Sequence, residues 1–205
     1  KSGYRVFRGF ESHPLLFMMK DNKAEEVLRS IEKASVTQFL PIVGPKKGKL
    51  LASLVRECNP KLILEIGTLV GYSAILMAQN LRGKEGNIIT LEISKRIAAV
   101  AERNIKLVGF EKKIKIIAGS ALKLIPKLEG KFDLVFVDAA KEEYFAYLKL
   151  LEKKNLKKGS IIVADNAKIF ADAMHDYLEY VRKSGKYKSE FHDFEHDGME
   201  VSVRL

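Results

Sequence analysis

Asp138, Lys141, Asp165 and Asn166 are residue types that suit one another, and each follows a short apolar run. Two carboxylates and an amide oxygen are hard oxygen donors, the kind that hold Mg²⁺, an ion that keeps several waters or substrate oxygens in its octahedral shell. Lys141 stands about one helical turn beyond Asp138. A lysine beside a divalent cation in a partly desolvated cleft has its ammonium form disfavoured, which makes it a usable general base. Taken alone, Lys141 reads better as an exposed lysine in a first helical turn; only its neighbours suggest the base.

A second group lies earlier, in Leu62-Ile63-Leu64-Glu65-Ile66-Gly67-Thr68-Leu69-Val70-Gly71-Tyr72-Ser73. An apolar run passes through an acidic residue into a glycine turn and then a helix. Gly67 and Gly71 allow a tight turn and close approach of a ligand, and the helix starting near Tyr72 aims free N–H groups at it. The pattern is Glu-x-Gly-x-x-x-Gly rather than the G-x-G-x-x-G of dinucleotide enzymes. Its carboxylate could meet a cationic amino group, and S-adenosylmethionine carries one, with a carboxylate and an adenosine. A strand–glycine–helix junction without a ligand is also a common packing solution. Glu92 ends the next apolar run, where a carboxylate can take both hydroxyls of a ribose. Gly119-Ser120 follows the third; Ser120 reads also as a helix N-cap.

The elements that must position these residues alternate. Apolar runs at 62–66, 87–92, 114–118, 132–138 and 160–165 predict strands covered on both faces, and 72–81, 95–108, 121–128 and 142–154 predict helices between them, with Ser94 capping the second. Such alternation implies right-handed crossovers and a doubly wound α/β sheet, mostly parallel, with ligands bound outside the carboxyl ends of its strands. The strands ending at Asp138 and Asp165 should be neighbours. Residues 14–58 read as helical, broken at Pro41-Ile42-Val43-Gly44-Pro45, and cap the sheet. After a helix at 172–183, strands at 187–194 and 199–205 flank a turn at His196-Asp197-Gly198.

The 205 residues, 47% hydrophobic, suit a single domain with a sizeable core: an N-terminal helical cap over 1–58 and a core over 59–205. No apolar run spans a bilayer and residues 1–10 lack a signal-peptide core, so a cytoplasmic protein with no membrane partner is expected. The single cysteine, Cys58, makes no internal disulfide and reads as a structural thiol. The net charge of +10 could attract a polyanion, but the lysines are scattered among glutamates, and a solvated surface accounts for them at least as well.

Joined with Val43-Gly44…Lys47-Gly48, Leu91-Glu92-Ile93, Gly119-Ser120-Ala121…Leu124-Ile125-Pro126, Asp138…Lys141…Tyr144, Ala164-Asp165-Asn166 and Asp197-Gly198, these motifs give the chain a likeness running from about Val43 to Leu205. It resembles the S-adenosylmethionine-dependent, Mg²⁺-dependent O-methyltransferases of the catechol and caffeoyl-CoA type. The resemblance implies a Rossmann-like methyltransferase fold whose last strand is antiparallel. It implies Glu65 on the cofactor amino group, Gly67 and the Tyr72/Ser73 helix start on its carboxylate, Glu92 on the ribose, Ser120 and Ala121 along the adenine, and Val43 with Gly44 across the methionine portion. Ile93, Gly119 and Asp138 count among the cofactor contacts. Asp138, Asp165 and Asn166 would ligate Mg²⁺ or another divalent cation, and Lys141 would be the base.

The resemblance is loosest around the acceptor. Mammalian catechol enzymes place tryptophans around the acceptor ring, whereas this chain has none, and Leu69 and Ala139-Ala140 occupy nearby positions. Glu195 and Asp193 are candidates for a late acceptor contact, and His192 and His196 read as loop histidines. A catechol-like small molecule is the expected acceptor. A hydroxylated uridine in tRNA and a non-catalytic cofactor-binding interaction protein are the alternatives. The apolar run Pro14-Leu15-Leu16-Phe17-Met18-Met19 points to a homodimer, and capping within the chain accounts for it equally well.

Overall fold

The computed structural model describes residues 14–82 and 86–205, with side chains from residue 23 onward. The apolar run 14–19 has its backbone in the first helix, but its side chains, and the basis they gave for a homodimer, lie outside the described residues. Helices α1 (Pro14–Gln38) and α2 (Gly44–Cys58) precede β1 (Leu62–Ile66), and α3 (Tyr72–Asn80), β2 (Asn87–Glu92), α4 (Lys95–Leu107) and β3 (Ile114–Ala118) follow. Next come α5 (Ala121–Leu124), β4 (Leu134–Val137), α6 (Tyr144–Lys154), β5 (Ile161–Ala164), α7 (His175–Lys183), β6 (Tyr187–Phe194) and β7 (Asp197–Arg204). They form one seven-stranded sheet in the order β3-β2-β1-β4-β5-β7-β6. The first five strands run parallel, and β7 pairs antiparallel with both β5 and β6.

Alternation at period two explains why the strands read as unbroken apolar runs. Ile63, Leu134 and Phe136 enter the core shared with α1 to α4, while Leu64, Val135 and Val137 enter the core under α5, α6 and α7. Each face is therefore sealed by helices. The order reverses between β1 and β4, so the strand ends there open a crevice for a ligand. Ser94 caps α4 through the N–H of Ile97 at 3.4 Å. Among the described residues no helix is long and apolar enough to cross a membrane.

Some predicted boundaries move, for local reasons. The strand expected over 132–138 is confined to Leu134–Val137, because the Asp133 carboxylate turns back to accept the N–H groups of Lys61 and Leu62 at 2.8 and 3.0 Å. The helix expected over 121–128 stops at Leu124 and continues as a 3-10 turn at Ile125–Lys127, since Pro126 lacks an N–H and disfavours helix at the residue before it. The final hairpin does not turn at Asp197-Gly198. Phe194 pairs with Asp197, so Glu195 and His196 form the loop, with Glu195 at φ 69°, and Asp197-Gly198 begins β7.

Candidate active site

Gly67 sets the floor of the site. Its φ is +94°, and a Cβ there would stand 2.0 Å from the Asp138 carbonyl oxygen, so only glycine lets the ends of β1 and β4 come this close. Gly71, at φ 88°, then starts α3 with no side chain capping it, and the first helical residues, Tyr72 and Ser73, line the crevice. Between the glycines, Leu69 takes φ 48° and donates its N–H to Glu92 Oε2 at 3.0 Å. Ser94 N–H donates to Glu92 Oε1 at 2.9 Å. Glu92 is thus aimed by the backbone on both sides of it.

The cavity above this floor measures about 690 Å³. Of the residues singled out from sequence, Val43, Gly67, Tyr72, Ser73, Glu92, Ile93, Gly119, Ser120, Ala121, Asp138, Lys141, Asp165 and Asn166 all line it. Ser120 holds the N-cap position of α5 without a capping bond. The Tyr72 ring lines the wall while its hydroxyl donates to Glu32 Oε1 of α1 at 2.5 Å. Gly44 and Glu65 are not on the wall. Glu65 is fully buried beneath it, with Oε2 accepting from the hydroxyls of Thr68 (2.8 Å) and Thr90, and Oε1 without a hydrogen-bond partner among the described residues. Burial pushes its carboxyl up to about 7, against the pull of the neighbouring hydroxyls.

At the other end, Lys141 Nζ donates to Asp138 Oδ1 at 2.8 Å and to the Tyr144 hydroxyl at 2.9 Å. Tyr144 donates in turn to the Val137 carbonyl at 3.0 Å. Burial, then the charges of Asp138 and Asp165, hold that phenol far above its ordinary range, so it stays a neutral strut under Lys141. Asp165 is buried and pushed up to about 6, first by burial and then by Asp138. Lys47 Nζ offsets this by donating to Asp165 Oδ1 at 2.6 Å and Oδ2 at 2.8 Å, and to Asp197 Oδ2 at 2.7 Å. Burial disfavours the Lys47 charge, yet Asp165 and Asp197 outweigh it and hold its pKa above that of a free lysine. Asn166, at φ 64°, donates Nδ2 to Asp197 Oδ2 at 2.6 Å, which leaves its carbonyl oxygen as the atom able to ligate.

Lys47 and Asp197 carry no role in the sequence reading, although both lie in its motifs. A signal for Lys47 existed: Lys47, Leu51 and Val55 recur every four residues, and Leu51 and Val55 are core, so a lysine on that stripe has to be buried and paired. Asp193 and Glu195 do not reach the cavity; they bind Lys168 and Lys46. The cavity mouth is instead apolar, with Phe39, Ile93, Ile169 and Phe170 exposed along it, and among the described residues Lys141 is the one basic side chain that lines it.

The family model described as O-methyltransferase matches residues 19–184. Catechol O-methyltransferase B of Danio rerio is 38% identical over 175 residues, covering 80% of this chain and 65% of that protein. Catechol O-methyltransferase of Mus musculus is 32% identical over 191 residues, covering 90% of this chain and 69% of its own length. The chain therefore spans about two thirds of the length of these relatives. Among solved structures, the O-methyltransferase from Bacillus cereus in complex with SAH superposes with a TM-score of 0.76 at 27% identity, covering 90% of this chain and 91% of that one.

Proposed function

The chain belongs to the O-methyltransferase family, and from that premise we propose that it transfers the methyl group of S-adenosylmethionine to one hydroxyl of a catechol-like small molecule, with a divalent cation at Asp138, Asp165 and Asn166. One observation carries this reading: the Gly67–Gly71 turn with Glu92, and the Asp138/Lys141/Asp165/Asn166 group, border the same cavity. Donor and acceptor would meet there.

The residues present fit both absent groups. The uncapped start of α3 suits a carboxylate, and Glu92, already oriented by two N–H groups, retains lone pairs for ribose hydroxyls. Asp138 lines the cavity, so the amino group of the cofactor is assigned to it rather than to Glu65, which the fold seals under the floor. For the cation, the support is a pair of carboxylates crowded enough to raise Asp165, each now neutralised by a lysine, beside an amide fixed with its oxygen free. That is hard-oxygen chemistry suited to Mg²⁺. Bound there, a cation supplies positive charge that lowers the pKa of an acceptor hydroxyl, and S-adenosylmethionine supplies an electrophilic methyl group.

What the chain's own residues do follows from their placement. Tyr144 holds Lys141 at the cavity wall, where it takes the proton of the reacting hydroxyl. The apolar mouth excludes water and seats an aromatic ring. Much of the acceleration comes from orientation, because methyl transfer offers a protein few covalent steps to assist. The tRNA alternative draws on the net charge of +10, but among the described residues the cavity mouth offers hydrocarbon rather than a basic apron, which favours the small acceptor. Parallel assays with catechol and with tRNA bearing hydroxylated uridine test the choice. Methylation of catechol alone is expected, and methylation of the tRNA alone would move the reading to RNA.

A further inference from the structure

Both oxygens of Asp165 already accept hydrogen bonds. Lys47 Nζ bonds Oδ1 at 2.6 Å and Oδ2 at 2.8 Å, and the Asn166 N–H adds to Oδ1 at 2.8 Å. The same ammonium reaches Asp197 Oδ2 at 2.7 Å. The Lys47 side chain is only 13% exposed, so its charge has little water to turn to. Formal charges in the group, Asp138, Asp165 and Asp197 against Lys47 and Lys141, leave a single negative excess. A divalent cation ligated by Asp165 would meet the Lys47 ammonium head-on, a like-charge contact in a poorly screened place.

Lys47 is also tied to the cavity by the chain. It sits in the first turn of α2, and Pro41, Ile42 and Val43, just ahead of it, line the cofactor cavity. The neighbouring anchor, Lys46 to Glu195 at 3.2 Å, is exposed on both sides and holds little. The buried Lys47 pair is therefore the main polar hold on this end of α2.

We propose that Lys47 is a resident counter-ion of the cation site, which an arriving divalent cation pushes off Asp165 and onto Asp197 alone, loosening the first turn of α2 beside the cofactor cavity. The inference rests on the reading of Asp165 as a cation ligand. In the cation-free protein Lys47 holds the buried Asp165 and the half-buried Asp197 in place and offsets one of their two charges. The same contact holds cation affinity down, so the ion stays exchangeable.

The test is calorimetric titration of the full chain with Mn²⁺ alone, in wild type, Lys47→Met and Lys47→Arg, with Asp165→Asn as the variant that must lose binding. Lys47→Met should bind Mn²⁺ at least about tenfold more tightly, since a like charge is gone, and Lys47→Arg should stay close to wild type. Equal or weaker binding by Lys47→Met overturns the proposal. Should that variant fail to fold, amide exchange in the wild type decides. The amides of residues 48–51, whose hydrogen bonds close the first turn of α2, should exchange faster with Mn²⁺ present. Unchanged or slower exchange overturns it. Absence of Mn²⁺ binding in wild type and Lys47→Met alike, or binding retained in Asp165→Asn, removes the cation reading itself and this inference with it.

Discussion

Replacing Glu92 by alanine should weaken binding of S-adenosylhomocysteine by a calculable amount. Glu92 is 7% exposed, and what it exposes faces the cavity. Each of its oxygens has one backbone N–H, from Leu69 at 3.0 Å and Ser94 at 2.9 Å, and a further lone pair for a ribose hydroxyl. Loss of hydrogen bonds to a charged group costs about 1.5–3 kcal/mol. At about 1.4 kcal/mol per decade, that is roughly ten- to 150-fold in Kd. Leu69 at φ 48° also loses the acceptor that holds its N–H, which pushes the effect toward the upper end. Glu92→Gln keeps an acceptor for Leu69 but offers Ser94 an amide nitrogen, so it should fall between. The assay is calorimetric titration at fixed pH and salt, with melting curves of the ligand-free proteins separating folding from binding. A folded Glu92→Ala protein that binds within about twofold of wild type, a difference of under about 0.5 kcal/mol, would refute the assignment.

Other substitutions probe the rest of the site. Lys141→Ala should reduce turnover about 10²–10⁴-fold, with partial recovery as pH rises and the hydroxyl ionises unaided; an unchanged rate rules Lys141 out as the base. Gly67→Ala should destabilise the fold by at least about 3 kcal/mol, because its Cβ would sit 2.0 Å from a backbone oxygen at φ +94°, and an unshifted denaturant midpoint would contradict that geometry. Glu65, pushed up from 4.5 to about 7, retains in the folded state a proton that the unfolded chain releases. Its contribution to stability is therefore complete below about pH 4.5 and is lost as pH rises through 7, on the order of 3 kcal/mol in all. Glu65→Gln should flatten that slope in denaturation curves taken across the range, and an unaltered slope would mean that Glu65 folds ionised.

The parallel core was legible because its strands are short apolar runs rich in Ile, Val and Leu, and β1, β2 and β3 begin and end where those runs do, before Gly67, at Glu92 and before Gly119. The edges were less legible, because side chains acting at a distance decide them. Asp133 reads as part of a strand until its carboxylate is seen to bind the start of β1. Asp-Gly reads as a turn, yet the register of β6 and β7 makes Glu195 and His196 the loop. At the site, residues at strand ends could be collected by position alone, since the parallel strands β1 to β5 bring their carboxyl ends to one edge. Lys47 was harder to collect: the stripe it shares with Leu51 and Val55 marks it for burial, but its partner Asp165 lies 118 residues along and its neighbours Lys46 and Lys49 look like solvated surface. Glu65 misled for a different reason: position in sequence put a carboxylate at the turn, but the pleat sends its side chain under the floor.

The most direct measurement follows methyl transfer from isotopically labelled S-adenosylmethionine to catechol by mass spectrometry, with Mg²⁺ and with excess chelator, in wild type and Asp138→Ala. A cavity that joins a donor site to a cation-held acceptor predicts singly methylated catechol from wild type with Mg²⁺, none above background with chelator, and none from Asp138→Ala even at S-adenosylmethionine concentrations that offset its weakened cofactor binding. Equal product with chelator and with Mg²⁺, or no methylated catechol from a wild type that binds the cofactor, would contradict it.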